Sequence, residues 1–392
     1  MPHEEKILGL PGYEIKEIER LSGHVLIHVR YTGLVDCPHC GHRKVRKKSR
    51  FIRNLRHETI GMRPSHLLLE SFKYHCLGCL RYFNQRFPGI MPRRRSTESF
   101  RRQIFWRHYD GICRSTLAER EAIGPATVAR WFHDHLRLEA LKLSSEPCPQ
   151  VLGIDEHFFN RKRGFATTLC DLKNHKVYDV VLGRSEASLD AYFQRLRDRE
   201  KVKVVCMDLS STYRSLVRKY FPQARIVADR FHVIRLIGHA FRMVWKQLDP
   251  VGNAHRGLRS LMMRRPDRLS SEQQVRLADY LTKYPALEAV YAFKQHVDAL
   301  LRRKTCNARK CRELIPQLLD YIEELKASGF PAMQTLGATI ESWKGEIAAM
   351  WRFSKNNGIT EGFHNKMEMI SRRAFGFRNF NNYRTQVRVM CA

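Results

Sequence analysis

The chain has 392 residues, 43% of them hydrophobic, enough for two or three domains with real cores. Seventy Lys and Arg against 39 Asp and Glu leave a formal charge of +31. Solubility does not require such an excess, and it suits a polyanion, nucleic acid first. An anionic membrane surface is the weaker alternative, because no apolar run approaches the roughly 18–20 residues of a spanning helix; no membrane partner is expected. The amino-terminal stretch MPHEEKILGLPGYEI has neither the basic nor the apolar block of a signal peptide, which points to an intracellular protein. Most of the 11 cysteines stand singly in apolar segments and read as small buried hydrophobes of a reducing compartment.

Four cysteines form a pattern. Cys37-Pro38-His39-Cys40-Gly41 and Cys76-Leu77-Gly78-Cys79 are two CxxC knuckles separated by 35 residues. Each knuckle aims two thiolates at one point, and two knuckles complete a tetrahedral zinc site. The strand-like HLLLESFKYHC before the second knuckle suits a zinc ribbon. With four Cys the site is closed and structural; His39, His42 and His75 are spare ligands. Two coincidental pairs or a redox dithiol are the competing readings. The basic run RKVRKKSRFIRNLR, residues 43 to 56, fits phosphate contact, or else is a solvated basic face.

Residues 93 to 97, RRRST, read as a linker that ends by capping a helix beginning near Glu98. In 115 to 138, STLAEREAIGPATVARWFHDHLRL, Leu117 and Ala118 lie on a short helix, Ile123-Gly124 makes a turn, and Pro125 opens a second helix. Val128, Trp131 and Phe132 give the second helix its buried face. Thr127 and Arg130, with His133 beside them, point outward as a recognition helix would, so the pair is a helix-turn-helix candidate. A plain structural hairpin shares the same pattern.

From Val151 the pattern turns to strands: VLGIDEHFF (151 to 159), FATTLCDL (165 to 172) and KVYDVVLG (176 to 183), joined by short turns that suit hairpins. A helix is expected over 187 to 200. VKVVCMD (202 to 208) is a strand ending in Asp208, Ser210 caps a helix through Tyr220, ARIVAD (224 to 229) is another strand, and a long helix starts near Phe231. Three antiparallel strands followed by helix, strand, helix, strand is the element order of an RNase H-like fold, at this point an analogy. Asp155 lies in an otherwise apolar central strand, where an ionised carboxylate costs several kcal/mol (~3 or more) unless a partner offsets it. In this fold its strand neighbours the one ending in Asp208, so both carboxylates face one point and a shared divalent cation is the natural partner. Magnesium takes one or two carboxylates plus phosphate oxygens, and two such ions about 3.5–4 Å apart can serve both the attacking and the leaving oxygen. A third acid is expected from 354 to 383, where Thr360 is a good N-cap and Glu361 projects from the first helical turn; Glu341 and Glu346 are competitors.

GIDE (153 to 156), VCMDLSSTYRSLVRKYFPQARIVADRFHV (205 to 233) and NNGITEGFHNKMEMISRRAFGFRNF (356 to 380) resemble the DDE transposases of bacterial insertion sequences, specifically the ISL-three family. The paired knuckles and the helix-turn-helix candidate occupy the places that family gives them, so the resemblance covers nearly the whole chain. It implies a multidomain α+β and α/β protein: a zinc-ribbon domain over 1–92, a helix-turn-helix domain over 93–145, and an RNase H-like mixed-sheet catalytic core over 146–235 and 351–392. An all-helical insertion over 236–350 interrupts that core. It further implies a catalytic, magnesium-binding triad of Asp155, Asp208 and Glu361, with two magnesium ions (manganese an alternative) and structural zinc. Asp229-Arg230-Phe231-His232 is similar to a D-x-x-H motif of related transposases, which makes Asp229 and His232 accessory to the active site. No departure at the three acids marks this copy as inactive.

The implied chemistry is cleavage and strand transfer on double-stranded DNA, at terminal inverted repeats and target, by a bacterial cytoplasmic, nucleoid-associated protein acting as a dimer or larger synaptic assembly. Lys366, Arg372, Arg373 and Arg378 follow Glu361 closely and are candidate DNA contacts; a solvated helix face is their plainer reading. Two rival readings remain. A sequence-specific DNA-binding regulator would keep the central fold as scaffold and have no use for three aligned acids. An RNase H-like nuclease would act on RNA or junctions, and has less use for the zinc and helix-turn-helix modules.

Overall fold

The computed structural model describes residues 8–61, 63–143, 146–305, 307–353 and 358–392; of residues 358, 359 and 361 it describes the backbone alone. The chain divides into two compact units, Met1–Leu141 and Lys142–Ala392.

The first unit is built on a sheet of β1 (Tyr13–Arg20), β2 (Val25–Tyr31), β3 (Val45–Ile60), β4 (Arg63–Cys76) and β5 (Tyr82–Asn84), ordered β1-β2-β4-β3 with β5 also on β4. Alternate side chains of β2 and β4 (Val25, Ile27, Val29, Leu67 and Leu69) are buried in one core with Leu8, Tyr13, Leu55, Phe87 and Ile90. The knuckle end has its own small core of Cys37, Tyr74, Cys76 and Phe83. Val45 pairs with Cys76, so the β3–β4 ladder delivers the second knuckle to the first. The stretch 93 to 97, read as a linker ending in a helix cap, ends in that cap at Thr97 and is also paired along β3. Arg56 N–H donates to the Arg95 carbonyl, Thr97 N–H to the Arg56 carbonyl, and the Arg53 guanidinium to the Arg94 carbonyl, so the segment is hydrogen-bonded along β3.

Three helices follow: Glu98–Tyr109, N-capped by Thr97, then Arg114–Arg120 and Pro125–Leu143. Phe100, Ile104, Leu117, Ala118, Val128 and Trp131 form their shared core. Between the second and third helices the left-handed residue is Ala122, at φ 51°, so the reversal sits just before Ile123-Gly124.

The second unit holds a five-stranded sheet of β6 (Val151–Asn160), β7 (Gly164–Asp171), β8 (Lys176–Leu182), β9 (Val204–Met207) and β10 (Arg225–Ala228), ordered β10-β9-β6-β7-β8. β6, β7 and β8 are antiparallel; β9 and β10 run parallel to β6. It is a mixed α/β arrangement with β6 at its centre. The helix expected over 187 to 200 is shorter, Glu186–Gln194: Arg195 closes it, and Asp198, at φ 55°, begins a separate 3-10 turn over Arg199–Lys201. Helices Ser211–Tyr220 and Arg230–Leu248 are N-capped by Ser210 and Asp229.

From Pro250 to Arg352 every further α-helical or strand element among the described residues is helical. These helices share one apolar core with the sheet through Trp245, Ile347, Met350 and Trp351. The buried Arg230 guanidinium, two residues past β10, donates to the carbonyls of Arg303 (3.3 Å) and Met350 (2.9 Å), tying the point where the chain leaves the sheet to the middle and the end of this helical block. Helices Gly358–Arg373 and Phe380–Met390 then return the chain to the sheet. No helix among the described residues is long and apolar enough to cross a membrane.

Candidate active site

The strand register sets Ile154 of β6 beside Met207 of β9, and Met207 beside Ala228 of β10. The next residue on each chain segment is an aspartate: Asp155, Asp208 and Asp229. One backbone row, at the point where β9 and β10 stop, therefore carries three carboxylates. Asp155 and Asp229 are 7% and 2% exposed. Burial first, then the charges of Asp208, Asp229 and Glu156, push the Asp155 carboxyl up to about 7. Burial, then Glu156 and Asp229, push Asp208 up to about 6, with Arg235 pulling the other way. Asp208 Oδ1 is buried without a hydrogen-bond partner. The unsatisfied donor is a hard oxygen of the kind magnesium or manganese takes, but among the described residues the three carboxylates do not close to within 4.8 Å of one another as the four thiols of the first unit do.

Two imidazoles flank the row. His232, one helical turn past the Asp229 cap, places Nε2 3.6 Å from Asp229 Oδ2 and 3.9 Å from Asp155 Oδ1. The Arg235 guanidinium donates to His232 Nδ1 at 3.0 Å, which fixes the neutral tautomer with its N–H at Nε2, toward the carboxylates. Burial, then Arg235 and His364, hold His232 down at about 4. His364 places Nδ1 4.0 Å from Asp155 Oδ2. A polar chain supports it: Tyr383 Oη lies 2.9 Å from His157 Nε2, His157 Nδ1 2.8 Å from Thr168 Oγ1, and Thr168 Oγ1 3.2 Å from His364 Nε2. One self-consistent proton order runs along it, with Tyr383 donating to His157, His157 to Thr168, Thr168 to His364, and the His364 Nδ1–H directed at Asp155. Burial lowers His157 to about 3 and His364 to about 4.

Asp155, Asp208, Asp229 and His232 are thus brought together. The Glu361 backbone lies in helix Gly358–Arg373, and its side chain falls outside the described residues. The competing acids are engaged elsewhere: Glu346 pairs with Arg214 at 3.3 Å and Arg218 at 3.5 Å, and Glu341 with Lys326 at 3.1 Å. Lys366, Arg372, Arg373 and Arg378 are all exposed; Arg372 pairs with Glu368 at 2.6 Å. In the other unit Arg130 is exposed and Thr127 half-buried at the start of helix Pro125–Leu143.

His157, Thr168, His364 and Tyr383 escaped the sequence reading. His157 had a signal, since it lies two residues from Asp155 and shares its strand face, and His364 lies one turn past Glu361. Tyr383 had none, because only the return of the last helix brings it to β6.

The first unit carries a separate centre. One Sγ each from Cys37, Cys40, Cys76 and Cys79 all lie within 4.8 Å of one another. The Cys37–Cys79 and Cys40–Cys76 Sγ pairs are 3.6 Å apart, and the Gly78 N–H donates to Cys76 Sγ at 3.3 Å. Four converging thiols with N–H···S support are compatible with structural zinc.

A family model described as "Transposase", of the DDE type named for ISL-three elements, matches residues 152–387. The "Transposase for insertion sequence element IS1001" of Bordetella parapertussis is 26% identical over 250 residues, 61% of this chain and 60% of that protein. The "Transposase for insertion sequence element IS1557" of Mycobacterium tuberculosis is 20% identical over 258 residues, 58% of this chain and 57% of that protein. The chain therefore spans about 60% of the length of the curated relatives it matches.

Proposed function

Because the chain belongs to this transposase family, we propose that it cuts DNA at the ends of an insertion sequence and joins the freed 3'-hydroxyl to target DNA. The observation that carries the proposal is the in-register row of Asp155, Asp208 and Asp229, with the orphaned Asp208 Oδ1. In this reading the central sheet is an RNase H-like core. Asp155, Asp208 and Glu361 hold divalent cations, Asp229 closes the row from β10, and His232 donates its Nε2–H to whichever carboxylate oxygen a cation leaves free. A bound pair of magnesium ions supplies the positive charge that a phosphoryl-transfer transition state needs at its attacking and leaving oxygens. The chain's own contribution is to hold these acids desolvated and aligned, and to place the phosphodiester among them.

The first unit would recognise the element end. Zinc at the four cysteines fixes the knuckles, and helix Pro125–Leu143 presents Thr127 and Arg130 to a major groove. Lys366, Arg373 and Arg378, and the charge of Arg372 left beyond Glu368, contact phosphates. Two ends must meet, so a dimer or larger assembly on double-stranded DNA is expected, working in the cytoplasm at the nucleoid. The test is a labelled duplex bearing the element's terminal repeat, incubated with magnesium and either wild type or Asp208→Ala. Nicking at the repeat boundary that is lost in the variant supports the proposal. Tight repeat binding without cleavage, with paired ends supplied and under magnesium or manganese, would shift the reading to a DNA-binding regulator.

A further inference from the structure

Helix Gly358–Arg373 carries His364 to the aspartate row, and its other end closes in a strained turn. The Gly376 N–H donates to the Ser371 carbonyl at 2.8 Å, and the Phe375 N–H to the Arg372 carbonyl at 3.0 Å. This pair of bonds is a Schellman ending, in which the residue at the place of Phe375 is left-handed and most often glycine. Here that residue is Phe375, at φ 53°, and the glycine comes one position later, at φ 85°. A bulky side chain held in this region is strained. Among the described residues no packing offsets the strain, because Phe375 is 95% exposed. The chain beyond it is anchored: Phe377 packs on Tyr383 with ring centroids 5.2 Å apart, and Asn379 caps helix Phe380–Met390. The ring is therefore displayed on a fixed backbone with both faces bare, and Arg372, Arg373 and Arg378, all exposed, flank it in sequence.

We propose that Phe375 is a wedge that enters the base stack of the bound duplex within about five nucleotides of the cut. The inference rests on the transposase reading of the aspartate row and adds to it a contact with bases. His364 stands 4.0 Å from Asp155. From His364 to Arg373 the helix rises about 14 Å, at roughly 1.5 Å per residue. That length matches about four steps of a stacked strand at roughly 3.4 Å each. A phosphate held at the aspartates therefore leaves the ring within reach of bases a few steps away. Phenylalanine is among the apolar side chains that open a base step, and the bend that follows brings more phosphates to the protein. Arg373 and Arg378 are suited to those phosphates, as is Arg372, offset in part by Glu368. A second copy of the chain is the poorer occupant, since a charge of +31 would meet its like. The strain itself favours a role outside the fold, because glycine would satisfy this turn better than the residue present.

The test uses the full chain, without divalent cation so that no cut intervenes, on terminal-repeat duplexes carrying 2-aminopurine at each position near the repeat boundary in turn. The expected result with wild type is a fluorescence rise confined to a single base step. Phe375→Ala should lose the rise and bind about tenfold more weakly, with its salt slope unchanged because the phosphate contacts remain. Phe375→Trp should keep the rise. Phe375→Gly should lose it and yet raise the Tm, a gain that a packing role for the ring would reverse. A rise that survives in Phe375→Ala, or a Tm lowered by Phe375→Gly, overturns the wedge. A smaller assembly formed by Phe375→Ala, read by light scattering, gives the ring to a second copy and overturns it too. Wild type that cuts the repeat under magnesium but gives no rise at any position overturns the wedge and leaves the transposase reading standing. Wild type that never cuts the repeat, under magnesium or manganese, overturns that reading, and this one with it.

Discussion

Asp155 pays for its place. A carboxyl near 7 in the folded chain against 3.8 in the open chain means that the metal-free fold prefers it protonated. Stability therefore falls as pH rises through that span. His157, His232 and His364 are lowered from 6.5 to about 3, 4 and 4, so they act in the opposite sense, but only below about pH 6.5. Between pH 6.5 and 8 the histidines no longer contribute, while the Cys113 thiol, lowered to about 7 by hydrogen bonds from Ser115 and Thr116, adds stability as pH rises and opposes the carboxylate. Metal-free protein should lose about 1 kcal/mol from Asp155 across that window, read as the difference in Tm slope between wild type and Asp155→Asn. Asp155→Asn should flatten the fall, and magnesium should raise the wild-type Tm more at pH 8 than at pH 6.5. Equal Tm slopes for wild type and Asp155→Asn across this window would mean that the row is not under electrostatic strain. At this scale Asp155 and Asp208 were legible as acids in apolar strands. The histidine and tyrosine support was not, because hydrogen bonds between residues 157 and 383 leave no trace in local spacing.

Among elements, the strands were the most readable. Alternation and β-branched runs gave β6 to β10 to within a few residues, since one buried face forces a period of two. Helix ends and connections were less so. The 187 to 200 stretch keeps its apolar spacing through Leu196, yet the helix ends at Gln194 and Asp198 takes a left-handed conformation; and the linker reading of 93 to 97 caught the cap at Thr97 but not the pairing of its main chain with β3. The knuckles were legible from spacing alone, and they carry a prediction of their own. Cys76 ends β4 and sits in the small core with Tyr74 and Phe83. Cys76→Ser should abolish zinc retention, measured by colorimetric release. Metal binding in such sites is itself folding energy, on the order of 10 kcal/mol, so the knuckle end alone, around Val35 to Val45 and Phe72 to Phe83, should become open to limited proteolysis. The separate core around Val25, Ile27 and Leu67 should stay protected. Zinc retained by the serine variant at wild-type stoichiometry would remove Cys76 from the site.

At the scale of the whole molecule, charge predicts behaviour more directly than topology does. With +31 to distribute, DNA affinity should fall steeply with salt, by about 10³–10⁵ between 50 and 200 mM if 6–10 phosphates are engaged. Filter binding across a salt series measures the slope. A shallow slope would place most of the arginines away from DNA. The topology offers a different consequence, through Arg230. Its guanidinium touches carbonyls at Arg303 and Met350, so the helical block leaves the sheet and rejoins it at one clasped point. A segment whose two ends are pinned together is a cassette: helices within it can lengthen, shorten or be exchanged without moving the strands that align the aspartates. Changes in chain length there cost little loop entropy, which makes this block the natural place for related chains to diverge in size, and for an engineered domain to be grafted, while the sheet beneath stays put.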